Sequence, residues 1–262
     1  MSKLILITGA TDGIGLRTAQ MLVADGHQVL LHGRSPAKLE AAAQQVGTVA
    51  GSYVADFSDL GQVAEMANQI LAQHQTLDVL INNAGVYRTP QTKTASGHDV
   101  RFVVNTFAAK LLTDLLLPLF PADGRIVNLS SAAQAPVDVW AMAGERSLAD
   151  FDAYAQSKLA LTIWTQQLSE HLTAGQVTVA VNPGSLLASK MVKEGLGVAG
   201  NDLDIGARVL CQAALDASFA GRSGAYFDND IGQFNQPHPA AQDPSQVRDV
   251  IAALDNLAVA PG

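Results

Sequence analysis

Short apolar runs alternate with stretches whose apolar residues recur every three to four positions, and this alternation holds along nearly the whole chain. The runs fall at residues 3–8, 28–32, 49–54, 77–82, 125–130 and 177–182, with a short seventh near Ala225-Tyr226-Phe227. Continuous apolar runs of this length suit strands buried on both faces. The helical pattern covers residues 14–25, 36–46, 59–74, 97–120, 153–174, 203–219 and 244–257. Strand, helix, strand in regular succession predicts an α/β protein: a doubly wound, Rossmann-type parallel sheet of about seven strands with helices on both faces. Residues 132–152 and 223–243 break the pattern; in the second, Pro237 and Pro239 end regular structure. Both lie near the carboxyl ends of strands, where such sheets bind ligands.

The first strand, Lys3-Leu-Ile-Leu-Ile-Thr8, runs straight into Gly9-Ala10-Thr11-Asp12-Gly13-Ile14-Gly15 and then a helical stretch from Leu16. Strand, glycine turn, helix is the context in which glycines let backbone N–H groups approach a pyrophosphate, while the helix N-terminus adds partial positive charge. A second constellation, Tyr154-Ala-Gln-Ser-Lys158, sets a phenol and an ammonium one helical turn apart on one face. A cation fixed beside a tyrosine stabilises its phenolate and lowers its pKa from about 10, which equips the pair to exchange protons with a carbinol.

Together with Asn82-Asn83-Ala84-Gly85, the Gly-x-x-x-Gly-x-Gly turn and the Tyr-x-x-x-Lys pair resemble the short-chain dehydrogenase/reductase family in its compact form. The resemblance covers nearly the whole chain and implies a single dinucleotide-binding and catalytic domain over residues 1–262. Hydride would pass between a nicotinamide and a carbonyl/alcohol pair, with a hydrophobic ketone, aldehyde or secondary alcohol as substrate. By resemblance Ser131 binds the substrate oxygen, Tyr154 moves the proton, Lys158 holds the nicotinamide ribose and depresses the tyrosine pKa, and Asn105 holds a water leading to the lysine. The cofactor contacts it implies are Gly9, Thr11, Asp12, Gly13, Ile14, Gly15, Arg34, Ser35, Asp56, Phe57, Asn83, Ala84 and Gly85, with Tyr154, Lys158, Pro183, Gly184 and Ser185. A catalytically silent nucleotide sensor of the same fold is the alternative, and the full set of Asn105, Ser131, Tyr154 and Lys158 argues against it.

Cofactor choice should show at the end of the second strand, Leu31-His32-Gly33-Arg34-Ser35. Gly33 occupies the slot where NAD-preferring relatives carry Asp, and the guanidinium of Arg34 can grip a 2′-phosphate, so NADP(H) is favoured. Asp12 in the glycine turn cuts the other way and leaves NAD(H) usable.

Net charge is −8, which disfavours nucleic acid or an anionic membrane as a partner. The chain opens on a strand instead of a basic leader, and no uniformly apolar stretch of about 18 residues is evident, so the expected location is cytoplasmic. Scattered histidines and one cysteine, Cys211, give no metal site and no thiol chemistry.

Three expectations concern the surroundings of the site. Twenty-three positions separate Ser131 from Tyr154, an added segment resembling that of retinol-dehydrogenase-like members, in which Trp140 and Met142 could wall an apolar pocket. The segment 186–200, with Gly195, Gly197 and Gly200, could act as a lid, and the usual threonine after Asn182-Pro183-Gly184 is replaced by Ala188 followed by Ser189. Finally, the helices near 97–120 and 153–174 could join copies into a homodimer or homotetramer through Leu111, Leu115, Leu161 and Trp164.

Overall fold

The computed structural model describes residues 1–185, 187–188 and 200–257. Among the described residues eight strands form one sheet: β1 (Leu4–Ile7), β2 (Gln28–Gly33), β3 (Gly51–Val54), β4 (Val79–Asn82), β5 (Arg125–Leu129), β6 (Val177–Asn182), β7 (Ala225–Asp228) and β8 (Gln233–Asn235). Their order is β3-β2-β1-β4-β5-β6-β7-β8, parallel throughout except for β8, which runs antiparallel to β7. The expected count of seven misses β8, a three-residue edge strand too short to give an apolar run.

Successive residues of a strand face opposite sides of the sheet. Leu6, Leu30, Leu80 and Ile126 accordingly enter one apolar core, and Ile5, Ile7, Leu31, Ile81 and Val127 the other. The second core is closed by α1 (Gly13–Ala24), α2 (Pro36–Val46) and, later in the chain, Leu203–Leu215. Over the first core lie α3 (Leu60–Gln73), the long helix α4 (Val100–Leu119), and α6 (Asp150–Ser169), which follows the short α5 (Val139–Met142). Counting on, α7 is Leu203–Leu215 and α8 is Pro244–Leu257.

Helix α4 is not uniform. Its second turn, Val103–Phe107, widens into a π-helix, and its last, Leu117–Leu119, tightens into a 3-10 turn. By length and composition this helix could cross a membrane, contrary to the expectation of no such stretch, yet 67% of its apolar window is buried inside the fold. In a single chain Leu161 and Trp164 also belong to the core, which removes them from any surface between copies; Leu111 and Leu115 are only partly covered.

Chain reversal between β3 and β4 places the switch point at the carboxyl ends of β1 and β4. The strand ends there carry Thr8-Gly9 and Asn82-Asn83, at the position where sheets of this kind bind their ligands.

Candidate active site

Steric demands explain the glycines of the first turn. Gly9 has φ 65°, and a Cβ on it would lie 2.8 Å from the Ala84 Cα; one on Gly15 would lie 2.4 Å from Asn83 Nδ2 and 2.5 Å from the Gly9 carbonyl. The close approach is fastened by hydrogen bonds. Asn83 Nδ2 donates to the carbonyls of Thr8 (2.8 Å) and Gly9 (2.9 Å), while Thr8 Oγ1 accepts the amides of Asn83 and Ala84, each at 3.0 Å. Beyond the turn, the Leu16 amide makes the first bond of α1, to the Asp12 carbonyl at 3.2 Å. Gly13, Ile14 and Gly15 therefore have no intrahelical acceptor for their amides, and Asp12 at the N-cap makes no side-chain cap. Amides at a helix N-terminus that have no acceptor among the described residues fit a diphosphate.

At the β2 edge, a Cβ on Gly33 would meet Thr11 Cγ2 at 2.3 Å, so the Thr11 methyl already fills the space an acidic residue would need. Arg34 is exposed just beyond it, and Ser35 caps α2 without a side-chain bond. Of the two residues expected at the adenine, Asp56 accepts from Ser58 N (2.9 Å) and Ser58 Oγ (2.8 Å). Phe57 differs from the simple expectation: its ring is buried in the core and stacked on His32, centroids 4.1 Å apart.

The π turn of α4 carries Asn105. Its Oδ1 accepts the Val86 amide at 2.8 Å; its Nδ2 donates to the Val86 carbonyl at 3.0 Å and to Ser157 Oγ at 2.9 Å. π turns recur at functional sites because they re-aim one side chain out of helical register. Ser157 passes the connection on, donating to the Tyr154 carbonyl at 2.7 Å. Lys158, one turn along α6, is 4% exposed and donates from Nζ to the Leu129 carbonyl at 2.7 Å. A Cβ on Gly85 would lie 3.4 Å from Asn105 Oδ1 and 3.5 Å from Lys158 Nζ, so the missing side chain at Gly85 keeps these two polar groups in reach of one space. Burial lowers the Lys158 pKa to about 8.

Tyr154 and Ser131 meet across this space. Burial raises the phenol pKa, the hydrogen bond with the Ser131 side chain opposes that rise, and the neighbouring Tyr87 adds to it. Lys158 does not lower it in the protein alone, as the spacing predicts it should: Nζ lies 5.7 Å from the centre of the tyrosine ring and is turned to a backbone carbonyl. The Ser131 carbonyl is held by Gln134 Nε2 (2.8 Å) and the Tyr226 hydroxyl (3.1 Å). Tyr87 packs edge-on against Tyr154, centroids 5.4 Å apart. Tyr87 and Tyr226 escaped the sequence reading. Tyr87 follows the Asn-Asn-Ala-Gly strand end by two residues, a position that could have flagged it; Tyr226 lies far along the chain, where only the sheet order brings it close.

The segment after Ser131 is built differently from the expected pocket wall. Asp138 caps α5 by accepting the amides of Trp140 (3.0 Å) and Ala141 (3.3 Å), which turns Met142 into the core and leaves Trp140 52% exposed beneath the Arg146 guanidinium. Met142 thus serves packing, and Trp140 stands at the surface. Two glutamines pin the segment: Gln156 accepts the Asp138 amide at 2.9 Å, and Gln246 of α8 bonds both the amide (2.9 Å) and the carbonyl (3.0 Å) of Val137.

After β6, Pro183-Gly184-Ser185 is anchored from the β7–β8 turn. Asp230 accepts the Ser185 amide at 2.7 Å, Asn182 Nδ2 donates to both Asp228 and Asp230 at 2.8 Å, and Asn229 Nδ2 reaches the Pro183 carbonyl at 2.9 Å. Ser189, Gly195 and Gly197 lie outside the described residues, and the expected lid with them. Cys211 has its thiol pushed up to about 11 by burial and so stays protonated.

Comparison with known proteins shows the family. A family model described as short chain dehydrogenase matches residues 3–196. Retinol dehydrogenase 13 of Homo sapiens is 33% identical over 289 aligned residues, covering 97% of this chain and 84% of that protein. Retinol dehydrogenase 11 of Homo sapiens is 37% identical over 194 residues, 70% of this chain but 61% of its own length. Among solved structures, an uncharacterized protein from Mycobacterium Paratuberculosis superposes with a TM-score of 0.81 at 27% identity, covering 97% of this chain and 92% of that one. A blue fluorescent protein from a metagenomic library, solved in complex with NADPH, has a TM-score of 0.69 at 27% identity, covering 88% of this chain and 97% of that one. With the family model spanning most of its length, the chain belongs to the short chain dehydrogenase family, a family of nicotinamide-dependent oxidoreductases of alcohols and carbonyls.

Proposed function

We propose that the protein reduces a hydrophobic aldehyde or ketone, and oxidises the matching alcohol, with NADP(H) preferred over NAD(H). The observation that carries this is the convergence of Ser131, Tyr154 and Lys158 beyond the strand ends, with the lysine buried and, among the described residues, bonded to a backbone carbonyl alone. When bound, the nicotinamide supplies or accepts the hydride. Open amides at Gly13, Ile14 and Gly15 fit its diphosphate, Lys158 its ribose, and Arg34 a 2′-phosphate.

Each side chain then has a definite task. The Ser131 hydroxyl orients the substrate oxygen. Burial keeps Tyr154 a phenol at neutral pH, the form that gives its proton to that oxygen during reduction. Lys158 adds positive charge beside the phenol, and Asn105, locked to Val86 and Ser157, fixes the helix turn on which both residues sit. The Tyr87 ring, packed on Tyr154, offers an apolar wall to the substrate, the role expected of Trp140 and Met142. Retinol dehydrogenases among the relatives favour a hydrophobic substrate, and an NADPH complex among the structural neighbours favours that cofactor.

The test is a screen of aldehydes, ketones and alcohols followed by nicotinamide absorbance, repeated with Tyr154→Phe. Loss of the hydroxyl alone should reduce turnover at least ~10²-fold with cofactor binding kept. Turnover near wild type would overturn the assignment. Arg34→Ala should weaken NADPH binding by roughly tenfold or more, the worth of a charge-assisted bond, and leave NADH unchanged; equal losses for both would reject the 2′-phosphate contact.

A further inference from the structure

His32 lies near the end of β2, 3% exposed, at the close of the apolar run Val29-Leu30-Leu31. Two consecutive amides of the glycine turn end on it: its backbone carbonyl accepts the Ala10 amide at 2.9 Å, and its ring Nδ1 accepts the Gly9 amide at 3.1 Å. A backbone N–H can only donate, so Nδ1 is the acceptor and the ring hydrogen sits on Nε2. Nε2 is 3.0 Å from the Ala55 carbonyl, to which it donates. The ring also lies nearly parallel to Phe57, with centroids 4.1 Å apart and 19° between planes.

One side chain therefore touches three chain segments: the glycine turn after β1, its own strand one residue before Gly33-Arg34, and the exit of β3 at Ala55-Asp56-Phe57. Asn83 holds the carbonyl side of the same turn from β4, and His32 holds its amide side from β2. An apolar residue could fill the volume but would leave the Gly9 amide without its acceptor, at a position where φ is 65° and the Ala84 backbone leaves no room to re-aim the peptide.

We propose that His32 is a positioning residue for the nicotinamide dinucleotide: in its neutral form, with the hydrogen on Nε2, it sets the diphosphate turn and the adenine-side loop at a fixed spacing. This rests on the cofactor reading above. The substitutions that separate bonding from packing are His32→Leu, which fills the site without an acceptor, and His32→Asn, whose Oδ1 stands where Nδ1 stood and can still accept from Gly9.

NADPH and NADH dissociation constants would be measured by fluorescence titration, together with thermal midpoint and kcat at saturating cofactor. His32→Leu should raise both dissociation constants about tenfold or more, with kcat at saturation within about threefold of wild type. His32→Asn should recover most of the affinity even though its cavity makes it the less stable of the two. Wild-type affinity in His32→Leu, or affinities that follow thermal midpoints instead of the acceptor, would overturn the inference. Should His32→Leu fail to fold, His32→Asn against His32→Ala carries the same comparison, acceptor present against acceptor absent. A wild-type protein that binds neither nucleotide rejects the cofactor reading itself and this inference with it; binding by wild type and equally by the acceptor-free variant rejects this inference alone.

Discussion

Arg101 and Lys158 are both cations with almost no contact with water, 1% and 4% exposed, yet their surroundings are opposite. Arg101 donates from Nε (2.7 Å) and Nη2 (2.5 Å) to the two oxygens of Asp99, and from Nη1 to Asp150 at 2.6 Å. Burial pulls its pKa down, but the bonds and charges of Asp99 and Asp150 outweigh that and leave it raised. Lys158 meets no carboxylate among the described residues, and burial alone brings it down to about 8. Asp150 opens α6, the helix that carries Tyr154 and Lys158, so the satisfied cation fixes the start of the helix that presents the unsatisfied one. A buried charge fully paired is architecture, whereas one left with a single neutral acceptor is poised to bind something polar or to release its proton.

Breaking the paired site should have the largest effect. Arg101→Met keeps the bulk and removes the charge, stranding the Asp99 carboxylate in a largely buried site. Urea denaturation should show a loss of about 3 to 5 kcal/mol, the range for removing one partner of a buried pair. A loss under about 1 kcal/mol would mean that the arginine and its carboxylates are not coupled.

Lys158→Met should move stability the other way. The folded pKa lies near 8 and the ordinary lysine value is 10.5, so between them the unfolded chain binds a proton that the folded chain does not. The lysine's contribution is complete above pH 10.5 and is lost as pH falls towards 8. At neutral pH the methionine variant should therefore be more stable, by at most about 3 kcal/mol, and the advantage should fade as pH is raised above the folded value. Its turnover should fall by at least ~10². A destabilised variant at pH 7 would show that the Leu129 carbonyl satisfies the ammonium after all.

Much of this contrast was written in residue spacing, and part of it was not. Tyr154 and Lys158 are four apart on a helix, and Ser131 ends an apolar run, so their convergence could be expected from periodicity and strand order. The direction of the Tyr154 pKa could not, because spacing reports which groups are near and says nothing of how much water they lose; here desolvation outweighs the Ser131 hydrogen bond. Met142 in the core and Trp140 outside it follow from the Asp138 cap, which sets the phase of a four-residue helix too short to show a period. A lone histidine at the close of an apolar run carries no signal either: His32 gains its meaning only when β1 and β3 arrive on either side of β2. Arg101 has its near partner, Asp99, two residues away, but Asp150 comes from across the fold.

The smallest effect should come from the outer carboxylate of the paired site, and it decides how far the pairing depends on burial. Asp150 is 42% exposed and shared between Arg101 and Arg88, the latter at 3.8 Å. Asp150→Asn leaves the Arg101–Asp99 fork intact, keeps a hydrogen-bond acceptor and discards a charge that water already screens. The expected loss is about 1 kcal/mol or less, and it should shrink further in roughly 0.5 M salt. By contrast, the Arg101→Met loss should change little with salt, because Asp99 and the guanidinium lie where counterions do not reach. If both losses shrink alike, the network is screened throughout and the contrast between the two cations is one of exposure. If only the Asp150→Asn loss shrinks, Asp99 is the counter-charge that separates Arg101 from Lys158.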